Sequence, residues 1–154
     1  VRIGVISDTH GLLRPEALAA LAGVDHILHA GDVGDPKILD TLRGIAPVTA
    51  ISGNVDTYGP CAELPPTEVV ELDGRVFYLV HSVRDLDVDP VAGGIDVVVS
   101  GHSHKPELEI RGSVLYLNPG SAGPRRFRLP VTIAIVESEP AGLRARIVKV
   151  LPDL

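Results

Sequence analysis

Aromatic residues are scarce: Phe and Tyr make up 3% of the 154 residues, and tryptophan is absent. A core without large rings must be built from small and β-branched side chains, which suits packed sheets with thin helices. The single cysteine, Cys61, excludes an intrachain disulfide and a cysteine-based zinc site. A basic excess is also missing. The formal charge is −6, so the chain as a whole carries no nucleic-acid footprint. Arg125, Arg126 and Arg128 form the only dense basic cluster. No apolar run approaches the ~20 residues of a membrane span. The first run is too short for a signal peptide and contains Arg2. These absences lead to the expectation of a cytoplasmic protein without a membrane or stable nucleic-acid partner.

What is present is an apolar content of 45%, dominated by Val, Leu, Ile and Ala. The length suits one domain over residues 1–154, large enough to bury a core without cross-links. Six apolar runs each end in a short polar motif. The motifs are Asp8-Thr9-His10, Gly31-Asp32, Gly53-Asn54, His81, Gly101-His102-Ser103-His104 and Asn118-Pro119-Gly120. Strand ends are rigid and the loops beyond them vary, so open α/β sheets place their sites there.

The local signals predict strands over Val1–Ile6, Asp25–Ala30 and Pro47–Ile51, separated by helices over Pro15–Leu21 and Pro36–Arg43. Pro15 suits a first helical turn, Asp35 is a candidate N-cap, and Gly23 and Gly44 are terminators. This β-α-β-α-β series predicts a parallel sheet. The second half is strand-rich. Thr67–Leu72 and Arg75–Val80 flank Asp73-Gly74, a strong hairpin signal. Ile95–Ser100, Glu107–Arg111 and Val114–Asn118 follow, and Val131–Val136 with Leu143–Val150 form a closing hairpin. Two facing sheets with helices outside account for both halves.

Taken singly, each motif is an ordinary turn or a partly buried histidine. Asp8 and His10 are two residues apart, so in extended backbone they point the same way and could grip one ion. A carboxylate at Asp32 can bridge two ions, and the amide of Asn54 limits negative charge. His102 and His104 can address two ions about 3.5–4 Å apart. Four of the six histidines fall at strand ends, and that coincidence favours a joint metal site. Mixed oxygen and imidazole ligands suit a pair of divalent transition ions.

Together these motifs resemble the calcineurin-like metallophosphoesterase superfamily, and within it the short prokaryotic phosphodiesterases of the YfcE type. The motif order D-x-H, G-D, G-N, H, G-H-x-H and N-P-G-S runs over nearly the whole chain. The resemblance implies a four-layer α/β/β/α sandwich of two mixed sheets flanked by helices. It implies one ion held by Asp8, His10, Asp32 and His104, and another held by Asp32, Asn54, His81 and His102, with Asp32 as the bridge. The ions it implies are Mn²⁺ first, with Co²⁺, Ni²⁺, Fe or Zn²⁺ as alternatives. Catalytic roles fall to Asp32 and Asn54.

The expected reaction is in-line hydrolysis of a small phosphodiester, with phosphomonoesters as a further class, by a hydroxide bridging two ions. The competing reading is a metal-binding scaffold without catalysis on the same fold. Three departures from the family pattern stand out. Val55 occupies the position where many relatives carry a leaving-group acid. Ser82 and Val83 follow His81 in place of the usual glycine. Only Asp85–Gly94, rich in Asp, Pro and Gly, is available for a helix before the Gly-His-Ser-His strand, so that rim should be short and open. His29 is a candidate substitute acid, with a second reading as a residue behind the site. Asp56 is a candidate support for Asn54 or a ligand histidine. Arg125 and Arg126 either meet substrate phosphate or face solvent or another subunit. Asp85, Asp87 and Asp89 do not make a calcium loop, because Pro90 stands where glycine is required. A homo-oligomer is left open.

Overall fold

The computed structural model describes all 154 residues and contains two five-stranded mixed sheets packed face to face. The first is built from β1 (Arg2–Ile6), β2 (His26–His29), β3 (Val48–Ala50), β9 (Thr132–Glu139) and β10 (Gly142–Lys149). Its order is β10-β9-β1-β2-β3, with β1, β2 and β3 parallel and the β9–β10 hairpin antiparallel. The second holds β4 (Thr67–Leu72), β5 (Arg75–Val80), β6 (Val97–Val99), β7 (Glu107–Arg111) and β8 (Val114–Asn118). Its order is β4-β5-β6-β8-β7, and β5, β6 and β8 are parallel.

Alternation along each strand sorts side chains into layers. Ile3 and Val5 of β1, Leu28 of β2, Phe77 and Leu79 of β5, and Val97 and Val99 of β6 fill the space between the sheets. The opposite face of the first sheet meets α1 (Pro15–Ala20) and α2 (Pro36–Arg43) through Ile27, Ile133, Ile135, Ala17, Leu21 and Leu42. Gly4 is needed there, because a Cβ would collide with Leu21. Both helices start at a proline, and the Asp35 side chain caps α2 by accepting from the Lys37 N–H.

The outer face of the second sheet is covered differently. Tyr78, Val80, Ile95, Val98 and Val114 pack under Leu86 and the loop after it. That segment has one 3₁₀ turn, Val83–Asp85, and no α-helix, as its Asp, Pro and Gly content predicts. The α/β sandwich therefore has a full helical layer on one side and a loop on the other. A four-residue helix, α3 (Gly59–Ala62), is not evident from periodicity; it buries Cys61 in the helix-side core. No helix is long and apolar enough to cross a membrane.

Candidate metal centre

The six polar motifs do not share one sheet edge. Asp8, Asp32 and Asn54 follow β1, β2 and β3 of the first sheet, while His81, His102–His104 and Asn118 belong to β5, β6 and β8 of the second. Within each sheet those three strands are parallel, so their downstream ends lie together. The site sits at the mouth between the sheets.

Backbone conformation is unusual at this mouth. Asp8, His10, Asp32, His102 and His104 all have positive φ, between 47° and 70°. Such conformations cost of order 1–3 kcal/mol each for non-glycine residues and persist only where the surroundings enforce them. The enforcing contacts are visible. The loops after β1 and β2 keep pairing beyond the strands, through Asp8 N–H to Gly31 O, His10 N–H to Asp32 O and Gly11 N–H to Val33 O. Asn118 donates its amide to the Gly101 carbonyl at 2.9 Å and to Ser103 Oγ at 3.1 Å, which pins the His102–His104 turn. Ser121 Oγ donates to the Asp8 carbonyl.

Each carboxylate has one oxygen engaged by the protein and one turned to the imidazoles. Asp8 Oδ2 accepts from Ser7 Oγ at 2.6 Å and from the His102 N–H at 3.1 Å. Its Oδ1 faces Nε2 of His104 at 3.4 Å, His10 at 3.6 Å and His81 at 3.9 Å. Asp32 Oδ1 accepts from the Val55 N–H at 3.0 Å. Its Oδ2 faces Nε2 of His81 at 3.2 Å and His10 at 3.4 Å. His10 and His104 approach each other at 3.3 Å between Nε2 atoms. The glycines make room for this. A Cβ on Gly101 would strike Ser7 Oγ and Asp8 Oδ2, one on Gly53 would strike Asp32, and one on Gly31 would meet His81 Nδ1 at 2.7 Å.

The donor set fits metal ions. His81 Nδ1 lies 2.7 Å from the Ala30 carbonyl, so it carries a hydrogen and donates it. Nε2 then presents a lone pair to a carboxylate oxygen, a repulsive arrangement unless a cation stands between them. Asp8 Oδ1, His81 Nε2 and His104 Nδ1 are buried with no hydrogen-bond partner. Asp8, His10 and His104 form one cluster with metal-ligand spacing, and Asp8, Asp32 and His81 form a second. The resemblance implies Asp32 as the bridge between two ions; in the structure Asp8 is the residue common to both clusters, while Asp32 belongs to the second and reaches the first only through Oδ2, 3.4 Å from His10. His102 and Asn54 are exposed at the rim. The His102 ring stands edge-on to His81 at 5.3 Å, and Asn54 shares a cleft with His81.

Proton affinities carry the same imprint. Burial acts to raise the Asp8 pKa, but the neighbouring His10 and His104 rings and the Ser7 hydrogen bond outweigh it and hold the group far below the carboxylate range. Burial likewise opposes Asp32, which is lowered by His81 and the Val55 N–H. The Asp8 carboxylate raises His10 against burial and the positive field of Arg126. His81 is raised by Asp32 and the Ala30 carbonyl despite its burial. The pocket attracts positive charge, whether protons or metal ions.

Asp56 acts otherwise than the sequence suggests, whereas His29 takes its second reading, a residue behind the site. Asp56 holds neither Asn54 nor a histidine. Its carboxylate accepts from the N–H groups of Val33, Gly34 and Gly53, tying the Asp32 loop to the Asn54 loop. His29 cannot serve as the leaving-group acid. It is fully buried; its Nδ1 accepts from the Gly31 N–H and its Nε2 bonds Thr9 Oγ1. Thr9 Oγ1 in turn donates to the Val33 carbonyl. Burial pushes the His29 pKa down to about 4. Neither role carries a signal in the local sequence.

Comparison with known proteins decides the family. The calcineurin-like phosphoesterase superfamily domain matches residues 1–140. The chain belongs to that superfamily. A probable metallophosphoesterase of Methanocaldococcus jannaschii is 35% identical over 161 residues, spanning 96% of this chain and 81% of the relative. A solved archaeal phosphodiesterase superposes with a TM-score of 0.79 at 26% identity, covering 96% of this chain and all of that one. The zinc complex of Vps29 from Entamoeba histolytica superposes with a TM-score of 0.76 at 20% identity, over 98% of this chain and 100% of that one, a likeness of fold alone. Membership makes this chain a metal-dependent phosphoesterase, a hydrolase of phosphoric esters.

Proposed function

We propose that the chain hydrolyses small phosphodiesters, with phosphomonoesters as a further class, at a centre of two divalent ions held by Asp8, His10, Asp32, Asn54, His81, His102 and His104. The observation that carries this is the convergence of Asp8 Oδ1, Asp32 Oδ2 and Nε2 of His10, His81 and His104 on one space, with unpartnered buried atoms facing into it. Mn²⁺ suits the mixed oxygen and imidazole donors, with Co²⁺, Ni²⁺, Fe or Zn²⁺ as substitutes. Bound there, the ions supply Lewis acidity, lowering the pKa of water to roughly 7 and neutralising charge on the phosphoryl oxygens.

The residues themselves orient and exclude. Ser7 and the His102 N–H fix one oxygen of Asp8, and the Val55 N–H fixes one of Asp32, so each remaining oxygen is aimed. Ala30 sets the His81 ring and its tautomer. Asn54 lines the cleft beside His81 with Ser52 and Thr67, where it can orient a phosphoryl oxygen. No proton donor stands at Val55, which is exposed at the rim. Aryl esters, whose leaving groups need little protonation, are therefore the better substrates.

The test strips metal, restores Mn²⁺, and assays an aryl phosphodiester and an aryl phosphomonoester side by side. Turnover that requires metal and is lost in Asp32→Asn supports the reading. Metal uptake without turnover on either ester would instead favour a metal-binding scaffold on the same fold.

A further inference from the structure

The ligand cluster opens on two sides with opposite chemistry. On one side a cleft of about 280 Å³ is lined by Ser52, Asn54, Thr67, His81 and Asp85. On the other a cleft of about 260 Å³ is lined by His10, His104, Pro124, Arg125 and Arg126 and contains no acidic residue. Two arginines with no acidic neighbour in the lining stand out on a chain of net charge −6.

The two arginines of that cleft differ in what holds them. Arg125 is committed to the backbone, donating to the carbonyls of Leu129 and Pro152. Arg14 donates to the Gly123 carbonyl from the other side. These two guanidinium groups brace the loop. Arg126 is exposed, and it is not among the arginines paired with carboxylates, which are Arg2, Arg43, Arg111 and Arg144. The next residue, Phe127, is 86% exposed with φ of 54°, a conformation that a bulky side chain adopts only where the surrounding structure imposes it. An unpaired guanidinium on a braced loop beside two candidate ligand histidines suits an anion; its planar fork matches phosphate oxygens.

We propose that Arg126 forms an anion subsite beside His10 and His104, selecting phosphoesters that carry a second phosphate on the arm lying in this cleft. The inference rests on the phosphodiesterase reading of the metal centre. It assigns the arms of the substrate: the phosphorylated arm on the Arg126 side, and an uncharged or hydroxyl-bearing arm beside Asp85.

The test compares two ligand pairs that differ by one phosphate. Binding of thymidine 3′,5′-bisphosphate and thymidine 5′-monophosphate to the Mn²⁺-loaded protein is measured by calorimetry. Hydrolysis of the nitrophenyl ester of thymidine 5′-phosphate is measured with and without a 3′-phosphate. The bisphosphate should bind about tenfold more tightly, the effect of one charge-assisted contact, and kcat/KM should favour the 3′-phosphorylated ester in the same sense. Arg126→Ala should erase both preferences, Arg126→Glu should invert them, and Arg126→Lys should keep part. Arg128→Ala, which removes a nearby charge outside the cleft, should leave the preference intact. Equal affinity for the two nucleotides, a preference that survives Arg126→Ala, or an equal loss in Arg128→Ala would overturn the subsite. Failure of both esters to turn over would count against the hydrolase reading, and the binding ratio would still decide the subsite.

Discussion

Nε2 of His81 stands 3.2 Å from Oδ2 of Asp32, and the opposite ring nitrogen is committed to the Ala30 carbonyl. A positive charge belongs between those two atoms. Against its burial, Asp32 and the Ala30 carbonyl raise the pKa of His81, and Asp8 raises that of His10, so in the metal-free protein these rings hold a proton to higher pH than a free imidazole does. A metal ion needs both rings neutral. Mn²⁺ uptake near pH 7 should therefore release protons, and affinity should fall as pH falls. Calorimetry in buffers of different ionisation enthalpy measures the release. Uptake without proton release would contradict this arrangement.

Gly101 leaves no room for a side chain against Ser7 and Asp8. Gly101→Ala should push the Asp8 carboxylate off its aim while leaving both sheets folded. Mn²⁺ affinity should drop by about tenfold or more, the loss usual when groups that orient a ligand are disturbed. A metal titration alongside circular dichroism checks both parts.

Asp56 satisfies three backbone N–H groups from two loops. Asp56→Asn keeps the shape but replaces one acceptor oxygen with a donor. We expect a loss of about 1–3 kcal/mol in urea unfolding, the penalty for leaving a buried polar group unpaired. Metal content should fall with it, because the Asp32 and Asn54 loops lose their tie.

His29 is buried in its neutral form, with a pKa pushed down to about 4. The unfolded chain binds a proton there below its ordinary value of 6.5, and the folded chain does not until about 4. Stability must therefore fall as pH drops through that window. Between pH 7 and pH 5 the metal-free protein should lose about 2 kcal/mol from this group, and His29→Gln should abolish that part. His10 and His81 act in the opposite sense. Their contribution is complete below pH 6.5 and is lost as pH rises through their folded values. Urea titrations of both proteins at the two pH values separate the terms.

Val55 is exposed, and its backbone N–H, not its side chain, serves Asp32. Val55→His keeps that bond and adds a proton donor at the rim. Hydrolysis of an alkyl diester should rise by about tenfold or more, toward the range of general acid catalysis, while an aryl diester gains much less. Equal gains on both would place the limiting step elsewhere.

Much of this was legible in the residues. Polar motifs closing apolar runs marked strand ends, and Asp73-Gly74, both with positive φ, set the β4–β5 hairpin to the residue. Asp8, His10, Asp32, His81 and His104 do converge. What was hidden depends on partners far along the chain. The motifs divide between two sheets because the chain leaves the first sheet after β3 and returns to it only with β9, which pairs with β1 across some 130 residues. The roles of Asp56 and His29 depend on which N–H groups other loops bring to them. The α3 turn is too short for any periodicity to announce it.

The proposed hydrolysis depends most on two ions being held around the carboxylates of Asp8 and Asp32. Titrating metal-free protein with Mn²⁺, and counting bound ions while assaying an aryl phosphodiester, tests it directly. Two ions per chain, with turnover appearing as the second binds and Asp32→Asn losing both the second ion and the activity, is the predicted result. Full turnover with one ion or none, or an Asp32→Asn protein that keeps both ions and its activity, would contradict it.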